Sequence, residues 1–542
     1  MAGALSKAPV GQKDFGTEFM TNMELAGKVV QELVNSGVRE FVLCAGARNS
    51  PLVHVLDENK NLKVYSFFEE RSAAFFALGR IASTRRPVAI ITTSGTAVAE
   101  LLPAAVEGTY SSLPLIMVTA DRPKQYRGTG APQTIEQVGI FSYYNEVALD
   151  VDAENSHISF KSLSWKKPIH VNICFEEPLI DGPIPKIDVP SISERTRLPG
   201  QLPLGTLKEM EEFLNSHNPL VIVGILPEKA YGTVLEFLKQ YKAPVYCEGI
   251  SSLRGHPDIK DIEIRSGEKM IHRILASKTC DSILRIGGVP TARVWRDLED
   301  KYKEIPVFSV SFNHYSGLSR STQQCNSLDL LSQVEFAYNH RENVKVNIED
   351  ASRAEHIRSL LRKYPQSEQG LIFSLSRKMH RGSLYLGNSL PIREWDSSSS
   401  HDAIPVRVAA NRGANGIDGQ LSTFLGWAHP ETENWCLVGD LTAMYDLSSL
   451  WVTSQLDAKK FRIVVINNGG GQIFSRMFNK EIFINKHQIS FESWAKMWNW
   501  SYEKWHNIPE ESKLSDLQII ELIPDAQQTH EFWKEYESLW KE

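Results

Sequence analysis

Two apolar runs in the C-terminal third of the chain each stop at residues suited to holding a cation. Trp435-Cys436-Leu437-Val438 runs into Gly439-Asp440-Leu441-Thr442, and Ile463-Val464-Val465-Ile466 runs into Asn467-Asn468-Gly469-Gly470-Gly471. Asp440 and Asn468 lie 28 residues apart, room for one crossover helix and the next strand. A hard cation such as Mg²⁺ takes about six oxygens near ~2.1 Å, commonly one or two from protein and others from phosphate groups. The Asp440 carboxylate, the Asn468 amide oxygen and a carbonyl of the glycine run would supply three, with a diphosphate supplying others. Glycines let backbone approach such a ligand closely. Gly-Asp or Asn-Gly alone describes a turn; the pair at this spacing points to chemistry.

Positioning such groups requires strands that end in loops, and the chain is patterned for them. Short apolar runs at 40–44, 64–68, 88–93 and 115–120 alternate with helical patterns, as in a parallel sheet with crossover helices. The rhythm recurs at 220–224, 244–247, 282–286 and 307–310, and again at 384–386, 435–438 and 462–466. Pro-rich stretches at 183–190 and 199–203 disfavour continued helix or central strand and read as a linker. A charged helical stretch at 353–362 precedes the third block. The expected division is an N-terminal extension at 1–17 and three α/β units at 18–190, 191–355 and 356–542.

The 542 residues are too many for one core. Acidic residues number 65 against 59 basic, without a long basic block, which argues against a nucleic-acid partner. No apolar run approaches the ~20 residues of a membrane span. Six scattered cysteines without metal-ligand spacing read as buried thiols of a reducing cytoplasm. Residues 1–17 lack a secretory core; organellar targeting through them stays open. The cluster at Trp494, Trp498 and Trp500 reads as core or interface.

The Gly439-Asp440 to Asn467-Asn468 pattern resembles the cofactor motif of thiamine diphosphate enzymes, although Leu441 stands where many relatives have glycine. The resemblance implies three doubly wound parallel-sheet domains: pyrimidine-binding, central and diphosphate-binding. It also implies a buried acid that activates the cofactor's aminopyrimidine. Glu69-Glu70-Arg71 follows the run at 64–68 and opens a small-residue helix, where a carboxylate is electrostatically favoured. Helix capping and pairing with Arg71 are the plainer roles for such an acid.

Further segments narrow the resemblance to the 2-succinyl-5-enolpyruvyl-6-hydroxy-3-cyclohexene-1-carboxylate synthase family of menaquinone and phylloquinone synthesis. They include Gly46-Ala47-Arg48-Asn49-Ser50, Thr93-Ser94-Gly95-Thr96-Ala97, Gly130-Ala131-Pro132-Gln133, Gly387-Asn388-Ser389-Leu390 and Asn411-Arg412-Gly413-Ala414-Asn415-Gly416-Ile417. By that resemblance Glu70 is the activating acid, Asp440, Asn468 and the Gly470 carbonyl hold Mg²⁺ (with Mn²⁺ as an alternative), and Ile417 bends the cofactor. Gly439, Leu441, Thr442, Ser389, Ile473 and Phe474 complete the cofactor site. The family joins 2-oxoglutarate to isochorismate, and arginine suits such polyanions because its fork binds carboxylates in pairs of hydrogen bonds. Ser389, Arg393 and Arg412 are assigned to 2-oxoglutarate, and Arg48, Arg122, Gln133 and Arg293 to isochorismate. Ile473, Phe474 and Met477 form an apolar wall. Catalytic roles fall to Glu70, Ser389, Arg393 and Arg412.

Two departures, Ala47 where the family commonly has Ser and Ala292 where it often has Lys, each remove a polar contact to the second substrate. The alternative is therefore another thiamine diphosphate-dependent decarboxylase or ligase with a different acceptor. A nicotinamide or flavin oxidoreductase is disfavoured, since no G-x-G-x-x-G follows a first strand. A non-catalytic binding protein is the remaining alternative, should the two alanines mark decay. The resemblance also implies a homodimer, or a dimer of dimers, with the active site between subunits.

Overall fold

The computed structural model describes residues 20–191, 204–336 and 344–541 apart from 380, 479 and 512. The extension at 1–17 and the Pro-rich stretch at 199–203 lie outside them. Seventeen strands among the described residues form three wholly parallel sheets. The first comprises β1 (Glu40–Cys44), β2 (Lys63–Phe67), β3 (Val88–Thr92), β4 (Leu115–Asp121), β5 (Ala148–Val151) and β6 (Ile169–Cys174), in spatial order β2-β1-β3-β4-β6-β5. The second comprises β7 (Pro219–Val223), β8 (Val245–Cys247), β9 (Ser282–Ile286), β10 (Val307–Val310) and β11 (Gln323–Cys325), ordered β11-β10-β9-β7-β8. The third comprises β12 (Ser383–Leu386), β13 (Arg407–Ala409), β14 (Asn434–Gly439), β15 (Phe461–Ile466), β16 (Ser501–Trp505) and β17 (Leu517–Leu522), ordered β13-β12-β14-β15-β17-β16.

The first and third orders are the same pattern, and the second shares its first four positions. In each sheet the chain steps outward once, then crosses back over the starting strand, and the crevice at that reversal is where ligands bind in open α/β sheets. The reversals fall between β1 and β3, β7 and β9, and β12 and β14. Strands covered on both faces become continuous apolar runs, and β3, β4 and β15 are buried at every residue. That is why the sequence disclosed them. The edge strands β5, β11, β13 and β16 carry polar or partly exposed residues and gave no such run.

The first and third sheets are joined through two helices, Glu70–Thr84 and Gln420–Trp427. Their crossing is glycine on both sides. A Cβ at Gly79 would stand 2.1 Å from the Thr423 carbonyl oxygen, and one at Gly426 would stand 2.2 Å from that of Phe76. Backbones can meet this closely only without side chains. Around the crossing Phe75, Phe76, Leu421 and Phe424 belong to one buried cluster that continues to Trp494 and Trp500, so that tryptophan-rich region is core.

The first Pro-rich stretch is more than a linker. Ile187 is buried in the first sheet's core, Gln31 and Asn59 hydrogen-bond the backbone at Asp188, Pro185 and Ile187, and Pro185 lies against Gly27. Proline removes backbone donors, and these two side chains serve the remaining backbone groups. The charged stretch at 353–362 belongs to the helix Val344–Lys363. All six cysteines are free and buried.

Candidate active site

The loops that leave the strands at and beside the three reversals carry the residues singled out in the sequence. Asp440 follows β14 and Asn468 follows the adjacent β15. The Asp440 carboxylate is buried and accepts three backbone N–H groups, from Leu441 at 2.6 Å, Gly469 at 3.0 Å and Gly470 at 2.9 Å. Hydrogen bonds to a charged acceptor each contribute about 1.5–3 kcal/mol, so this carboxylate pins the glycine loop to the end of its own strand. Burial raises the Asp440 carboxyl from its ordinary value, against those N–H donors and the nearby His487. Gly470 has φ +131°, and a Cβ there would stand 2.4 Å from the Ile484 carbonyl oxygen. The loop therefore needs glycine for both conformation and space.

Asn468 Nδ2 donates to Glu368 Oε2 at 3.1 Å. That bond turns the amide oxygen of Asn468 to the opposite side, where it is free to act as a ligand. The donor set around the loop is thus carboxylate, amide oxygen and carbonyl, the set a hard cation takes. Glu368 and His487 were not found in the sequence. Glu368 is a buried first-turn acid of the Glu368–Lys378 helix, and His487 Nε2 lies 3.2 Å from Asp440 Oδ2. Glu368 lies 100 residues from Asn468 in sequence and His487 comes from the stretch that follows the glycine loop; neither belongs to a short motif. Leu441 and Thr442 sit in the short helix Asp440–Tyr445 behind Gly439.

In the first sheet the two acids after β2 divide the roles. Glu69 caps the helix, accepting from Arg71 N at 3.0 Å and Ser72 N at 3.2 Å, and lies 3.8 Å from the Arg71 guanidinium. It also takes the Ser448 hydroxyl at 3.1 Å. Capping and arginine pairing therefore belong to Glu69, and the Glu70 carboxyl is not engaged in them. Burial raises Glu70 above the ordinary carboxyl value, and the charges of Glu69 and Glu100 push the same way. A carboxyl inclined to keep its proton is what proton exchange with a heterocyclic nitrogen requires.

Ser389 leaves β12 with φ +74°, a left-handed conformation uncommon outside glycine, and starts the helix Leu390–Ser398. Arg393 Nη1 donates to the Ser389 carbonyl at 2.6 Å. Arg412 Nη1 donates to Asn388 Oδ1 at 2.9 Å, while Asn388 Nδ2 holds the carbonyls of Asn411 and Gly416, both at 2.8 Å. Asn388 thereby ties the Ser389 loop to the loop bearing Arg412 and Ile417. From the second sheet, Glu248 Oε1 accepts the N–H groups of Thr291 at 2.5 Å and Ala292 at 3.0 Å, setting the start of the Arg293–Asp297 helix. Burial pushes Glu248 up to about 8, eased by the Arg412 charge, and Glu268, pushed up to about 7, feels both Arg293 and Arg393. Arg293, Arg393 and Arg412 thus share one electrostatic neighbourhood at the second and third reversals.

Arg48, Arg122 and Gln133 leave the first sheet, Arg48 after β1 and the other two after β4. Arg48 pairs with Glu177 at 3.0 Å and donates to the Phe175 carbonyl at 3.3 Å. Arg122 Nε donates to the Pro132 carbonyl at 3.0 Å, and Gln133, with φ +55°, lies against Gly95. Among the described residues no hydrogen bond or ion pair directly joins this set to Arg293, Arg393 or Arg412. Ile473 is partly buried, whereas Phe474 and Met477 are exposed in the single chain.

Residues 23–140 match the family model described as "Thiamine pyrophosphate enzyme, N-terminal TPP binding domain". Over 526 residues the chain is 83% identical to a protein of Bdellovibrio bacteriovorus, covering 96% of this chain and 100% of that one. Its name is 2-succinyl-5-enolpyruvyl-6-hydroxy-3-cyclohexene-1-carboxylate synthase. The chain belongs to that synthase family. Relatives of the same name from Akkermansia muciniphila and Staphylococcus epidermidis are 35% and 30% identical, each over 91% of this chain and over 95% and 91% of their own. As a member of the synthase family the chain is a thiamine diphosphate enzyme, and the matched segment contains Arg48, Glu70, Arg122 and Gln133. The acids that hold these loops, Glu248 and Glu368, carry no motif of their own and emerged only from the fold.

Proposed function

We propose that the chain decarboxylates 2-oxoglutarate and adds the remaining four-carbon unit to isochorismate, giving 2-succinyl-5-enolpyruvyl-6-hydroxy-3-cyclohexene-1-carboxylate and CO₂. The observation that carries this reading is the third sheet's reversal, where Asp440, Asn468 and the glycine loop stand beside loops bearing Ser389, Arg393 and Arg412. Thiamine diphosphate, when bound, supplies the electron sink that decarboxylation of a 2-oxo acid needs. Asp440, Asn468 and the Gly470 carbonyl would hold Mg²⁺ against its diphosphate, and Gly439, Leu441, Thr442, Ser389, Ile473 and Phe474 would line it. Ile417 would lie against it as an apolar wedge, and Glu70 would exchange a proton with its pyrimidine ring.

Arg393 and Arg412 bind the two carboxylates of 2-oxoglutarate, and Arg48, Arg122, Gln133 and Arg293 bind isochorismate. Ile473, Phe474 and Met477 would form an apolar wall that keeps water from the reacting groups. We further propose a homodimer or dimer of dimers with the site shared between subunits. The exposure of Phe68 (57%), Tyr445 (50%) and Met497 (71%) supports a covering partner. Units at 18–190, 191–355 and 356–542 and a cytoplasmic location complete the reading; no described helix is long and apolar enough to cross a membrane.

The test is loss of isochorismate absorbance on mixing purified protein with thiamine diphosphate, Mg²⁺, 2-oxoglutarate and isochorismate. Loss that requires every component supports the reading. Release of CO₂ with isochorismate untouched would instead favour a different acceptor, in keeping with Ala47 and Ala292.

A further inference from the structure

The loop of Arg412 is gripped from the first sheet's side by one acid. Glu107, on the helix Leu102–Ser111, is only 3% exposed. Its Oε1 accepts the N–H of Gly413 at 2.8 Å, its Oε2 the N–H of Ala414 at 2.7 Å, and Ser111 donates to Oε1 at 2.7 Å. Two successive N–H groups of one sheet's loop thus converge on a single carboxylate belonging to another, 306 and 307 residues away in sequence. A Cβ at Gly413 would stand 2.6 Å from the Glu107 carbonyl oxygen, so the loop can seat here only with glycine.

Little else holds the loop from that side. Ala414 and Asn415 are exposed, and a cavity of about 180 Å³ lies beside the contact, lined by Phe75, Val106, Asn411 and Gly416. Where packing is absent, directional bonds to a buried charge decide position. The Arg412 Nε is itself buried without a partner, so its fork takes its aim from the backbone beneath it and from Asn388.

We propose that Glu107 is a positioning residue, a clamp between the first and third sheets that sets the Arg412 guanidinium toward the 2-oxo acid. This rests on the proposed role of Arg412. Glu107→Gln keeps the size of the side chain but turns an amide N–H₂ toward one of the two N–H donors. Gly413→Ala disturbs the same contact from the loop side and serves if Glu107→Gln does not fold.

The experiment combines amide hydrogen exchange with steady-state kinetics. Either variant should speed exchange at Gly413 and Ala414. It should also raise the KM for 2-oxoglutarate on the order of tenfold, leave that for isochorismate unmoved, and add less than about twofold in an Arg412→Ala background. Unchanged exchange at those two amides overturns the clamp. So does an equal rise in both KM values, or a full additional loss on top of Arg412→Ala. If the unaltered enzyme did not consume 2-oxoglutarate, the functional reading would fall, while the exchange comparison would still judge the clamp.

Discussion

Replacing Gly79 with alanine tests whether the two helices that join the first and third sheets must touch for the site to work. The new methyl would stand 2.1 Å from the Thr423 carbonyl oxygen and 2.8 Å from the Trp427 nitrogen. Non-bonded heavy atoms rest at about 3.5 Å or more. The obstructing atoms are backbone of the facing helix and cannot rotate aside, so the helices must part by more than ~1 Å at the crossing. Overpacking of a well-packed contact costs about 1–3 kcal/mol, and rigid neighbours on both sides place this change at the upper end. The parting also displaces Glu70, at the start of one helix, and the Ile417 loop that leads into the other, so neither keeps its place in the proposed site shared between subunits. A displacement near ~1 Å at reacting groups can cost about 100-fold in rate. Thermal unfolding and kcat at saturating cofactor measure both consequences. Gly426→Ala should behave alike, since its Cβ would stand 2.2 Å from the Phe76 carbonyl oxygen. The double variant should lose less than the sum, because the crossing is already open. An unaltered melting temperature and kcat in Gly79→Ala would refute the reasoning.

Glu70→Gln should fold and bind Mg²⁺ with thiamine diphosphate normally yet lose most turnover, general acid–base roles contributing about 10²–10⁴-fold; normal turnover would remove Glu70 from the mechanism. Asp440→Asn leaves one oxygen for three backbone N–H donors, so both Mg²⁺ affinity and stability should fall, the latter by about 1–3 kcal/mol; a Mg²⁺ titration of activity together with a thermal melt checks this. Arg393→Ala should chiefly weaken use of 2-oxoglutarate, seen as a higher KM with isochorismate saturating. Glu248 gives a pH prediction: burial lifts its folded-state pKa to about 8, above an ordinary carboxyl near ~4.3. The neutral form is the one the fold favours, so its stabilisation is whole below the ordinary value and lost as pH climbs to about 8. The melting temperature of Glu248→Gln should therefore decline less steeply across that window than that of the unaltered protein.

What the residues alone disclosed follows from where burial is complete. Central parallel strands such as β12, β14 and β15 are covered on both faces and are predominantly apolar, so they stand out as runs, and their ends mark the loops where Ser389, Asp440 and Asn468 sit. Short local motifs likewise carried Glu70, Arg412 and the glycine loop, because a tight turn or a left-handed backbone leaves its trace in adjacent residues. Tertiary structure alone decided which of two adjacent acids caps its helix and which keeps its carboxyl out of the cap, since Glu69 and Glu70 differ only in the direction that strand β2 and its helix give them. It also decided the packing of the proline strap at 183–190 and the glycine-on-glycine crossing of Gly79 and Gly426. The acids that hold the site's loops from afar, Glu107, Glu248 and Glu368, belong here too. Where the partners are backbone N–H groups, as at Glu107 and Glu248, no complementary side chain marks the pair, and with about 300 residues between Glu107 and Gly413 only the folded chain brings donor and acceptor together.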